Sequence, residues 1–185
     1  MPIKHHLLQN ARQSRSPNQD ARPDADDISL LVIHCISLPP EEFGGNFIDD
    51  LFCNRLNPTE HPYFQTLYTL RVSTHVLIRR DGERVQYVPF DRRAWHAGVS
   101  SFQGRERCND FSIGIELEGS VNQAFTDVQY RQLASVTQEL LAHYPRLKRQ
   151  RIAGHSDIAP GRKQDPGPYF DWQRYISLID PTTPS

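Results

Sequence analysis

A chain of 185 residues with 37% hydrophobic and 23% charged side chains has an ordinary globular composition and the length for one hydrophobic core, so a single domain is expected. A formal net charge of −1 supplies no overall field for nucleic acid or acidic lipid, and no apolar run reaches the length of a membrane helix. Neither nucleic acid nor a membrane is therefore expected as a partner, and nothing calls for an obligate protein partner.

The start, MPIKHHLLQNARQ, has no apolar signal core or small-residue cleavage site. Cys35, Cys53 and Cys108 are odd in number and lack CxxC spacing. Reduced thiols and a cytoplasmic location are expected. Residues 1–28, polar and proline-punctuated from Gln9 to Asp27, read as an exposed arm ahead of a domain over residues 29–180.

Ser29–Ile36 (SLLVIHCI) is a short continuous apolar run, which fits a strand buried on both faces. His34 lies near its C-terminal end. An unpaired imidazole there would cost roughly 1–3 kcal/mol, so His34 is either a hydrogen-bonded core histidine or part of a site. Asn46–Cys53 predicts a short helix, and proline-broken Asn57–Leu67 a surface loop that could border a pocket. Val72–Arg79 predicts a strand, turned by Asp81-Gly82 onto Arg84–Pro89 as a hairpin. Asp91–Asp110, carrying Trp95 and His96, is a long loop of the kind that is usually functional or disordered.

In Phe111–Glu118 the residues alternate: Phe111, Ile113, Ile115 and Leu117 on one face, Ser112, Gly114, Glu116 and Glu118 on the other. Glu116 then stands on the side where Ser112 and Gly114 leave open space, unless it is simply a solvent-facing strand residue. Thr126–His143 predicts a helix with a Thr126/Gln129 capping box and an apolar stripe through Leu133, Val136 and Leu140. RIAGH reads as a strand leading into a loop, and Tyr169–Ile179 as a terminal amphipathic helix. The fold class expected is α/β (α+β), a single domain with mixed strands and helices.

The loop from Gly154 to Gly167 (GHSDIAPGRKQDPG) is too rich in glycine and proline for helix or strand, yet it carries His155, Lys163 and Asp165. His and Asp suit zinc, and the prolines can hold the loop rigid. His155 and Asp165 stand ten residues apart, so the loop must fold back to bring both to one ion. A catalytic zinc usually has three protein ligands and an open position for water, which leaves one ligand to be found elsewhere.

Taken in order, LLVIHCISLPP, FGG, STHVLIRRDG, AWHAG, CNDFSIGIELEG and GHSDIAPGRKQDPGP resemble the zinc N-acetylmuramoyl-L-alanine amidases, nearest their cytoplasmic branch that acts on 1,6-anhydro-muropeptides. The resemblance runs from about Leu30 to Trp172. It implies a central mixed β-sheet flanked by helices, with zinc in a groove at one face held by His34, His155 and Asp165. It implies Glu116 as the general base for water and Lys163 as the cation beside the developing oxyanion. The bond cleaved would be the amide between the lactyl group of muramic acid and L-alanine of a small muropeptide. Softer matches point to Trp95 as a platform for a sugar ring, Arg71 and Arg107 as partners of peptide carboxylates, and Asn109 and Tyr63 as further substrate contacts. His61, His75, His96 and His143 receive no metal role.

Two positions depart from the pattern. Cys35 follows His34 where relatives usually carry asparagine, and Thr74 stands where phage-type relatives place a tyrosine. A non-catalytic muropeptide-binding module and an amidase of intact peptidoglycan remain the alternatives. The first is disfavoured because such modules typically lack a zinc ligand.

Overall fold

The computed structural model describes residues 2–179; Asp180, the last residue of the expected domain, lies outside them. A six-stranded sheet is built in chain order from β1 (Arg12–Gln13), β2 (Leu30–Ile36), β3 (Val76–Ile78), β4 (Arg84–Gln86), β5 (Ser112–Glu118) and β6 (Ile152–Gly154). Their spatial order is β6-β2-β5-β3-β4-β1. The central strands run parallel, β3 and β4 form the expected antiparallel hairpin, and β1 adds parallel to β4, so the sheet is mixed.

The helices are α1 (Phe47–Phe52), α2 (Asp127–His143), α3 (His155–Ile158) and α4 (Trp172–Ile179). Alternation decides which side of the sheet they cover. Leu31, Ile33, Ile113, Ile115 and Leu117 face one side and pack with Leu133, Val136 and Leu140 of α2 and Tyr175 and Ile179 of α4. The capping box forms as expected: Thr126 accepts from the Gln129 amide while the Gln129 side chain accepts from Thr126. On the other side, α1 and the turn at Pro62–Thr66 cover Leu77, Val85 and Tyr87, leaving the ends of β2, β5 and β6 for a site.

The expected exposed arm is corrected. Residues 2–28 belong to the folded unit: β1 is the sixth strand, Gln19–Ala21 pairs with Arg92–Ala94, and Ile3 and Leu8 are buried in the main core. Part of the polarity of this segment serves backbone bonding, with Ser16, Asn18 and Arg22 buried. Ser14 and Ser16 amides donate to the Gln86 and Tyr87 carbonyls, both at 2.9 Å, and Asn18 Nδ2 donates to Val72 O at 2.8 Å. Arg22 is buried and donates to the carbonyls of Phe90, Asn109, Asp110 and Ser112, stitching the segment under β5.

Other elements are shorter than expected. β3 begins at Val76: Ser73 N already leaves the sheet for Trp95 O, while Thr74 Oγ1 and His75 N still reach Gly114 O of β5. His75 is a structural residue. Its Nδ1 accepts from Gly114 N, so Nε2 carries the proton and donates to Arg92 O. The long Asp91–Asp110 loop is ordered by the short pair Ser101–Phe102 with Arg105–Glu106.

One buried charge cluster joins five parts of the chain. Asp49 on α1 accepts from Tyr87 Oη at 2.6 Å and Arg12 Nη2 at 3.1 Å, and is paired with Arg79, which also reaches Glu118. Burial alone would raise the Asp49 carboxyl, but the Tyr87 hydroxyl and the Arg12 and Arg79 guanidiniums bring it below its ordinary value. A depressed carboxylate contributes stability above its unfolded pKa of about 3.9, and that stability is lost as pH falls through the folded value. Asp49→Ala is expected to cost about 1–3 kcal/mol in urea unfolding at pH 7, because it leaves the buried Tyr87 hydroxyl and one side of the Arg79 guanidinium without an acceptor, while Arg79 keeps Glu83 and Glu118. The gap between wild type and variant should narrow below about pH 4, where Asp49 of the unfolded chain takes up its proton, and close further as pH falls through the folded value.

Candidate metal centre

Register places the site. β2 pairs with β5 so that His34 and Glu116 are partners, and β6 pairs with β2 so that Gly154 lies beside Ile33. His155, the next residue, therefore emerges abreast of His34. The chain then makes the single turn of α3 and folds back, with Ser156 N donating to Asp165 O at 2.9 Å. That bond returns Asp165 to the strand ends.

Three donor atoms meet there. His34 Nδ1 lies 3.0 Å from His155 Nδ1 and 3.1 Å from Asp165 Oδ2, and His155 Nδ1 is 3.0 Å from the same oxygen. His155 Nε2 faces the Ala97 carbonyl at 3.1 Å. A carbonyl only accepts, so Nε2 carries the ring proton and Nδ1 presents a bare lone pair. Burial brings the His34 imidazole down to about 4, which keeps it neutral too.

Two imidazole lone pairs and a carboxylate aimed at one point repel unless a cation stands between them. Zinc bonds of about 2.0–2.2 Å at tetrahedral angles separate ligand atoms by about 3.3–3.5 Å, so this triangle is slightly tighter than one face of such a site. The residues fit a divalent ion of zinc's preferences, and the described residues offer this group as a metal-holding cluster.

Glu116 extends from the neighbouring strand into the same cleft, and its Oε2 is buried without a hydrogen-bond partner among the described residues. Burial raises its carboxyl well above the ordinary value; Asp165 adds to the rise and Lys163 opposes it. An acid poised in this way can both take and return a proton. Lys163 is exposed on the folded-back loop and also lines the cleft, which measures about 330 Å³. Tyr63, Leu67, Leu70 and Trp95 form its apolar wall.

The other expected contacts are placed differently. Trp95 lines the cleft while its indole N–H donates to Asp20 Oδ1 at 3.2 Å. Arg71, Arg107 and Asn109 stand outside the lining. Arg71 is exposed and donates to the Tyr68 and Leu70 carbonyls. Arg107, exposed with φ 61°, pairs with Asp110. Asn109 Oδ1 accepts from the amides of His96 and Ala97.

The space beside Glu116 is not all open. The His96 ring fills it over Gly114, where an added Cβ would come within 2.6 Å of the imidazole. His96, given no metal role from sequence, receives the His34 ring at 2.9 Å. No spacing rule would have found it; the missing side chain at Gly114 was the available clue. Cys35, half-buried beside His34, lines the cleft with its thiol pushed up by burial.

Residues 24–168 match the family described as N-acetylmuramoyl-L-alanine amidase. The 1,6-anhydro-N-acetylmuramyl-L-alanine amidase AmpD of Citrobacter freundii is 61% identical over 183 residues, which is 99% of this chain and 97% of that protein. The crystal structure of a selenomethionine AmpD derivative superposes with a TM-score of 0.94 at 60% identity, covering 97% of this chain and 99% of that one. Escherichia coli AmiD, solved with anhydro-N-acetylmuramic acid-L-Ala-D-γ-Glu-L-Lys, gives 0.60 at 31% identity over 86% of this chain and 60% of that one. A family match spanning most of the sheet and both sides of the donor cluster, carried end to end by AmpD relatives, makes this chain a member of the N-acetylmuramoyl-L-alanine amidase family.

Proposed function

We propose that this protein hydrolyses the amide between the lactyl group of 1,6-anhydro-N-acetylmuramic acid and L-alanine of the stem peptide, in the cytoplasm, as a step in peptidoglycan recycling. The observation that carries the reading is the meeting of His34, His155 and Asp165 with the unpartnered Glu116 oxygen in one cleft. It is supported by the end-to-end similarity to AmpD proteins, and by an anhydro-muropeptide being the ligand in the AmiD complex.

Zinc held by those three residues would supply Lewis acidity toward the amide carbonyl and a lowered pKa for water. Glu116 takes a proton from the attacking water at Oε2 and returns it to the departing L-alanine nitrogen. The Lys163 ammonium stabilises the negative charge that develops on the carbonyl oxygen. Tyr63 and Trp95 present flat surfaces to the sugar and lactyl portion. Arg71 and Arg107, outside the cleft lining, are assigned only to distal carboxylates of the stem peptide. Asn109, with its oxygen engaged by backbone, is assigned no substrate contact. Among the described residues no helix is long and apolar enough to cross a membrane, which is compatible with a substrate met in solution.

Turnover of an anhydro-muropeptide should cease with a chelator and return with zinc; activity that persists in metal-free protein would sink the reading. Rates on the soluble fragment should exceed those on whole sacculi, and the reverse order would favour an enzyme of intact wall. Glu116→Gln is expected to retain zinc, by metal analysis, while losing about 10²–10⁴ in kcat. Asp165→Ala should lose the metal itself. Lys163→Ala should lower kcat by about 10²–10³, and a change confined to KM would reassign it to ground-state binding.

A further inference from the structure

Both candidate ligand histidines lean on one dipeptide. His34 Nε2 meets His96 Nδ1 at 2.9 Å, and His155 Nε2 meets the Ala97 carbonyl at 3.1 Å. For Nδ1 of His34 to be bare, its Nε2–H must donate to His96 Nδ1. The His96 proton then sits on Nε2 and points to Ser112 Oγ at 3.1 Å. His96 and Ala97 thus fix which nitrogen of each ligand ring is free.

The dipeptide is itself held by a single side chain. Asn109 Oδ1 accepts from His96 N at 3.1 Å and from Ala97 N at 2.8 Å. Both partners are backbone donors, so the amide orientation is unambiguous: a rotated Asn109 would set its NH₂ against two N–H groups. Two further contacts act on the same dipeptide. The Arg162 guanidinium donates to Ala97 O at 2.6 Å, and Gly114 supplies the gap in which the His96 ring lies.

We propose that Asn109 is a positioning residue of the metal centre: by holding the two amides of His96–Ala97, it sets the tautomer and the aim of His34 and His155 together. This rests on reading His34, His155 and Asp165 as metal ligands. Hydrogen-bond partners of metal-bound histidines fix ring orientation and basicity, and their loss typically costs about 10–100-fold in metal affinity.

The test uses the full chain, stripped of metal and titrated with zinc against a chromophoric chelator. It compares wild type, Asn109→Leu, Asn109→Ala and Asn109→Asp. The Leu and Ala variants should bind zinc about 10–100-fold more weakly, and Asp, which keeps the acceptor oxygen, should restore affinity. Ring ¹⁵N spectra of the zinc-saturated protein supply a readout that general destabilisation does not move. Wild type should show His34 and His155 bound through Nδ1 with sharp Nε2–H signals, and the Leu variant Nε2–H signals that are shifted or broadened by exchange. Folded Leu or Ala variants with wild-type affinity and wild-type Nε2–H signals would overturn the proposal. Unfolding of both would do so too, reducing Asn109 to a purely structural bond. Wild-type protein that binds no zinc, or whose zinc binding survives Asp165→Ala, would instead overturn the ligand reading and this assignment with it.

Discussion

Parallel pairing of three strands in one register is the constraint on which the site depends. A shift of β5 against β2 by one residue would turn Glu116 into the helix-covered core and bring Ile115 or Leu117 to the cleft, because side chains alternate with a period of two. The same shift between β6 and β2 would part His155 from His34. The apolar face packed on α2 and α4 prevents that slip. The hydrophobic effect, acting on Ile33, Ile113 and Ile115, thereby sets the position of polar atoms on the opposite face.

Holding unscreened donors together costs free energy, and the molecule offsets it locally. Burial keeps His34 neutral, and His155 is restrained by a carbonyl. Glu116 is the exception, with one oxygen buried and unpaired. An unsatisfied polar atom of this kind is expensive in a purely structural setting and makes sense where a water or substrate atom will complete it.

Much of this was legible in the residues. Continuous apolar runs marked β2 and the alternation of Ser112–Glu118 marked β5; Asp81-Gly82 marked the hairpin and Thr126 with Gln129 marked the start of α2. The loop after Gly154 announced itself by carrying ligand-type residues among glycines and prolines. What stayed hidden was long-range and polar. Residues 2–28 read as solvated because their side chains are hydrophilic, yet Ser16, Asn18 and Arg22 are buried against backbone groups that no local pattern specifies. His96 stands out only as a loop histidine, because its partner, His34, lies 62 residues away.

The family match begins at residue 24, downstream of Arg22 and of the sheet's outermost strand. A shortened version cut at that boundary would retain every donor of the cluster, yet bare the open edge of β4 and vacate the space beneath Ser112 that the guanidinium occupies. The portion matched by the family and the folded unit are therefore different lengths of chain, and anyone trimming this protein should keep the segment from Ile3, which is buried in the main core.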